Sequence, residues 1–162
     1  MNHDSELAKL MSRFPRTGRV EWIGVRPGHR APLAPLDWVE AIAGYGLEGD
    51  HHASTTNGKR QVTLIQAEHL EAVAKLVGRD TVAPESVRRN IVVSGINLYA
   101  LHDRQFSIGP VMLEGTGTCD PCSRMEEALG SGGFNAMRGH GGITARIVAG
   151  GLIRVGDPVE SA

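Results

Sequence analysis

Four short β-rich segments, Gln105 to Ile108, Val111 to Gly115, Ile143 to Val148 and Leu152 to Val159, crowd the last third of the chain and are joined by glycine-containing turns. Earlier segments add to them. Arg19 to Val25 alternates Val20, Trp22 and Gly24 against Arg19, Glu21 and Ile23, Trp38 to Ala43 reads as a short strand, and Val62 to Ile65 and Asn90 to Ile96 are apolar and β-branched. Many short strands around one core pair into a barrel or a strongly curved sheet with a few helices outside it, rather than into repeated βαβ units. The expected fold class is therefore α+β, dominated by a β-barrel.

The helical signals are few. Leu7, Leu10, Met11 and Phe14 recur at helical spacing after Asp4 and Ser5, either of which can cap, and Pro15 stops the run. This predicts a short amphipathic helix in an N-terminal extension, residues 1–18, ahead of one domain over residues 19–160. Leu70, Val73, Ala74 and Val77 predict a helix from about Gln66 to Gly78, on which His69 reads as a packing or surface residue. Pro84 to Arg89 predicts one more helical turn, and the stretch His29 to Pro35, without periodicity, reads as a mobile loop.

Both cysteines of the protein lie in one stretch, Gly115-Thr-Gly-Thr-Cys-Asp-Pro-Cys122, followed by Ser-Arg-Met-Glu-Glu-Ala-Leu129. The pattern reads as a strand turning directly into a helix, with Asp120 as N-cap and Pro121 in the first turn. Cys122 is then expected just inside the helix start, where unpaired N–H groups, the helix dipole and the nearby Arg124 favour a reactive thiolate. Cys119, on the preceding loop, is the expected helper, with Thr116 beside it in the glycine-rich turn. Three other readings of the pair stay open. One is a zinc site completed by two of His51, His52 and His140, although no second C-x-x-C or H-x3-H follows. The others are a thioredoxin-like redox pair, which lacks its βαβ surroundings, and a pair that merely packs.

Two further stretches are built for binding. Gly44 to Arg60 is a long glycine-rich loop, and its Asp50, His51, His52, Lys59 and Arg60 suit an anion or a proton-transfer step; the plain reading is a solvated turn. Arg88, Arg89 and Asn90 at a strand entrance form a candidate phosphate clamp, or else an ordinary solvated surface. Gly130 to Gly142 permits close backbone approach, and its Arg138 and His140 are expected to form a third wall beside the cysteine loop.

Composition narrows the partners. At 162 residues and 41% hydrophobic, the chain supports one core, and a net charge of -1 gives no general attraction to nucleic acid or anionic membrane. No apolar run is long enough to span a bilayer and the first residues lack a secretion-signal pattern, so a cytoplasmic protein is expected.

Together, Gly46-Leu-Glu-Gly-Asp-His51, Arg88-Arg-Asn-Ile-Val-Val-Ser-Gly95, the cysteine loop and Ile153-Arg-Val-Gly-Asp157, in that order, resemble a stand-alone MOSC domain, the module named after the C-terminal part of molybdenum cofactor sulfurases. The resemblance covers nearly the whole chain from about Arg19. It implies a MOSC-type β-barrel fold and molybdenum-cofactor or sulfur chemistry, with Cys122 matching the cysteine that ligates molybdenum in cofactor-bearing members. It also implies a molybdopterin phosphate held by donors such as Lys59, Arg88, Arg89 or Arg138. Relatives of this kind reduce N-hydroxylated compounds or carry sulfur, so the implied partners are a small-molecule substrate or sulfur donor and an electron-donor or cofactor-donor protein. Unlike the larger relatives, this sequence contains no extra N-terminal barrel domain and no lysine-anchored pyridoxal phosphate domain.

Overall fold

The computed structural model describes residues 5–162. In chain order its strands are β1 (Gly18–Val25), β2 (Ala34–Leu36), β3 (Trp38–Ile42), β4 (Gly46–Leu47), β5 (Val62–Gln66), β6 (Ile91–Ser94), β7 (Gln105–Ile108), β8 (Val111–Thr118), β9 (Ile143–Ala149), β10 (Gly151–Arg154) and β11 (Pro158–Ser161). The helices are α1 (Glu6–Met11), α2 (Ala67–Val77), α3 (Ser123–Leu129) and α4 (Gly133–Met137). The main sheet runs β11-β7-β8-β9-β5-β6-β1 and closes by pairing β1 back to β11, giving a seven-stranded barrel with β2 added to β1. Closure leaves the ring without a free edge. A small second sheet, β10-β3-β4, completes the β layer. The expected α+β barrel is what forms.

All pairings in the ring are antiparallel except β5 with β6. A parallel pair needs a crossover, and α2 supplies it. The two strands it joins are buried on both faces, and their period of two sorts the side chains. Val62 and Leu64 of β5 and Ile91 and Val93 of β6 point into the barrel core. Ile65 and Val92 point outward into a second core under α2, α3 and α4, with Val73, Met125 and Met137. Each such aliphatic side chain contributes about 1.5–3 kcal/mol by leaving water.

Local chemistry accounts for most boundaries. Gly78 ends α2 in the left-handed conformation, and Pro84 opens a single 3₁₀ turn, Pro84–Val87, where a helical turn was expected. The Ser5 hydroxyl caps α1 by accepting from the Ala8 N–H at 3.0 Å, while Asp4 lies outside the described residues. Three expectations need correction. The face of α1 is not buried, since Leu7 and Leu10 are 59% and 61% exposed. Leu152 to Val159 is two strands in two sheets, split by a turn in which Gly156 has φ +94°. The stretch 130–142 contains α4, and β2 occupies the end of the segment read as a mobile loop. Among the described residues no helix is long and apolar enough to cross a membrane.

Candidate functional site

The cysteine loop is held from below by one buried guanidinium. The 3₁₀ turn ends with Arg88 in the left-handed region, φ 61°, which turns Arg89 inward until it is 3% exposed. From there Nε donates to the Gly141 carbonyl at 2.9 Å, Nη1 to Val87 at 2.8 Å, and Nη2 to Cys119 at 3.0 Å and Asp120 at 3.3 Å. Burial lowers the pKa of this arginine, and the Cys119 sulfur beside it opposes the shift. Gly141 has to be glycine, because a Cβ there would run into the Cys119 carbonyl.

Asn90 supports the other wall. Its Oδ1 accepts from the N–H and hydroxyl of Thr63, both at 3.1 Å, and its Nδ2 donates to the Gly24 carbonyl at 3.1 Å and to Asp50 Oδ1 at 3.2 Å. The buried Asp50 carboxylate also accepts from the Arg26 N–H at 2.9 Å and the His52 N–H at 3.2 Å, so it fixes two segments of the rim. Arg26 Nη2 in turn lies 2.9 Å from His52 Nε2. The rings of His29, His51 and His52 follow one another at 5.6 and 5.7 Å between centroids.

These walls enclose a cleft of about 230 Å³ lined by Arg26, Arg60, Arg88, Arg89, Arg124, His29, His51, His52, Thr63 and Cys122. It has five guanidinium groups and no carboxylate on its lining, a charge and a donor set of the kind that suits an anion. Cys122 is the exposed cysteine and Cys119 the buried one, its sulfur 3.7 Å from Arg60 Nη2. Burial lowers the pKa of Arg26, with Asp50 opposing, and lowers that of His52, again with Asp50 opposing. A larger depression of about 560 Å³ lies around Trp38, but it contains no cysteine, histidine or arginine.

The expected site residues therefore divide. Cys122, His51, His52, Arg60, Arg88, Arg89 and Arg124 come together at the cleft. Asn90 does not line it: every polar atom of its side chain is engaged in structural bonds, as are the nitrogens of Arg89, so of the three residues read as a clamp Arg89 and Asn90 form a framework, and Arg88 keeps a buried Nη2 without a partner. Cys119 packs behind the cleft. Thr116 bonds the Lys59 carbonyl and, at 2.9 Å, Thr144, and the exposed Lys59 is not on the lining. Arg138 is exposed elsewhere. His140 packs edge-on against His69, 5.2 Å between centroids, beside a separate cavity of about 140 Å³ lined by His69, Thr118 and Asp120. Cys122 is itself the N-cap of α3, not a residue inside it, and Asp120 accepts from Thr118 rather than capping. Among the described residues no three His, Cys, Asp or Glu side chains gather closely enough to hold a metal. The residues missed in sequence are Thr63, hidden in an apolar strand, and Arg26 and His29, which flank the Pro27-Gly28 break after β1; for Arg26 a cation at a strand end before such a break was the available signal.

A family profile described as the MOSC domain matches residues 48–160. No curated protein matches the chain. Among solved structures, the YuaD protein from Bacillus subtilis is similar over 90% of this chain and 96% of its own, with TM-score 0.79 and 20% identity. YiiM from Geobacillus stearothermophilus is similar over 90% of this chain and 75% of its own, at TM-score 0.72 and 15% identity. YiiM from Escherichia coli gives 89% and 69%, TM-score 0.67 and 19% identity. At these identities the likeness is one of fold.

Proposed function

Because the chain belongs to the MOSC domain family, we propose that its arginine-lined cleft receives the phosphate-bearing molybdenum-pterin cofactor and that Cys122 supplies the protein's sulfur ligand. The observation that carries this reading is an exposed thiol on a cleft with five guanidinium groups and no carboxylate. The fit to the group rests on donor chemistry. A soft thiolate suits molybdenum, and planar guanidinium donors suit phosphate oxygens. Arg26 Nε and Arg88 Nη2 are buried without a hydrogen-bond partner, donors that an anion would satisfy.

When bound, the group would supply two-electron reduction of a small N-hydroxylated substrate. The chain's own residues have narrower tasks. Arg60, Arg88 and Arg124 bind and orient the anionic end, Asp50 and Asn90 keep the rim in place, and His51 and His52 lie where a proton is held or moved at the cleft mouth. Arg89 acts indirectly by fixing the carbonyls of Cys119 and Asp120, and so the approach to Cys122.

The exposure of Cys122 favours a second reading, in which the thiol accepts sulfane sulfur and passes it to a partner. Protein purified from a host that makes the cofactor separates the two. One molybdenum per chain together with reduction of an N-hydroxylated base supports the enzyme. Metal-free protein that gains one sulfur at Cys122 supports the carrier, and neither loading nor sulfur uptake would contradict both.

A further inference from the structure

We infer that Arg26 sets the tautomer of His52 and thereby couples the binding of a tetrahedral oxyanion in the cleft to the uptake of a proton by that imidazole. The inference rests on reading the cleft as an anion site.

Arg26 Nη2 and His52 Nε2 are 2.9 Å apart. A guanidinium has donors only, so Nε2 must be the acceptor and the ring proton must sit on Nδ1. His52 is thus neutral while this bond stands, with its tautomer fixed by its neighbour. The pair is not adjusted by flexible segments, because Asp50 clamps both backbones: Oδ1 accepts from the Arg26 N–H and Oδ2 from the His52 N–H. Arg26 also has a donor to spare, since its buried Nε has no partner.

An oxyanion offers acceptors only, and Arg26 is one of the guanidinium groups on a lining without carboxylates. An oxyanion takes the Nε and Nη2 donors of a guanidinium together as a fork, so the anion that fills the spare Nε also draws Nη2 away from His52, whose Nε2 lone pair then has no partner and faces negative charge. Only the protonated ring can then donate at that position, so the proton that joins Nε2 comes from solvent. The charged groups facing His52 act in both directions. Burial opposes the imidazolium most strongly, with Arg26, Arg60 and His51 acting in the same sense, whereas Asp50 favours it. The added anion supplies the missing negative charge.

Nitrogen-15 NMR of the imidazoles, on the full chain free of oxyanions at about pH 8, reads the first half. His52 is expected as the Nδ1–H tautomer, reverting in Arg26→Ala to the mixture seen in free histidine; an Nε2–H signal in the unaltered protein overturns the role of Arg26. Sulfate, a dianion from neutral to mildly acidic pH, is the probe for the second half. Its affinity is expected to rise as pH falls, by at most about tenfold per unit for one linked proton. Calorimetry in buffers of different protonation heat should show proton uptake that disappears in His52→Gln and survives in His51→Gln. Sulfate binding without uptake, or uptake that survives His52→Gln, overturns the coupling alone. Absence of sulfate binding at either pH extreme overturns the coupling and the anion reading together. Methyl phosphate compared at about pH 8, where both probes are dianions, tells preference for an ester head from preference for a free inorganic ion.

Discussion

Arg89 and Asn90 support the cleft through hydrogen bonds made almost wholly out of contact with water. Truncating Asn90 to alanine strands partners on Thr63, Gly24 and Asp50, and a buried group left unpaired costs about 1–3 kcal/mol. Asn90→Ala should therefore lose more than about 3 kcal/mol in urea unfolding, and a loss below about 1 kcal/mol would show that water replaces the amide. The two cysteines differ just as sharply. Cys119 is 1% exposed and Cys122 lies open at the cleft, so an alkylating reagent should modify Cys122 first, with Cys119 following only on unfolding. Mass spectrometry of the native protein checks the order, and equal rates would contradict it. The place of Cys122 beside a helix start was legible in the sequence, although α3 begins two residues later than Asp120 and Pro121 suggest. The roles of Asn90 and Arg89 were not: a polar residue at a strand entrance looks the same whether it meets a ligand or the backbone of segments 30 and 52 positions away, as Arg89 does with Cys119 and Gly141.

Elements with their own periodicity, such as α2 and the longer strands, stand where the pattern placed them, and the residues around α2 stop it by local chemistry. The short ones depend on tertiary support. α4 is held to α3 by the Glu126 carboxylate, which accepts from the Gly132 N–H at 2.7 Å and the Phe134 N–H at 3.3 Å, and nothing in the glycine-rich sequence announces that bond. Gly142, at φ +85° against the Leu64 carbonyl, couples this segment to β5. Gly142→Ala should destabilise the fold and move the cysteine loop, which is bonded to the Gly142 carbonyl through the Cys119 N–H at 2.9 Å. Hydrogen exchange that speeds up at residues 118–122 in this variant is the expected sign, and exchange unchanged from the parent would contradict it. By contrast Leu7→Glu on the exposed face of α1 should alter stability by no more than about 0.5 kcal/mol.

The whole molecule should become less stable as acidity increases from neutral pH. Burial lowers the pKa of His52 and of His69, and His140 lowers that of His69 further. The folded chain therefore binds fewer protons than the unfolded one once the pH drops below about 6.5. Stability is full above that value and declines as pH falls through the depressed values, so the urea midpoint should drop on acidification and drop less in His69→Gln. A midpoint that rises would contradict the sign. Closure of the barrel was legible from the number and shortness of the strands, whereas the convergence of the loops after β1, β4 and the 3₁₀ turn on one cleft was not, since it is set by pairings such as β1 with β6. The most direct measurement on that cleft is molybdenum and sulfur loading of Cys122→Ser and Cys119→Ser beside the unaltered chain. Cys122→Ser should abolish loading and Cys119→Ser should only reduce it; equal loss in both, or full loading without Cys122, would contradict the assignment of Cys122 as the sulfur ligand of this site.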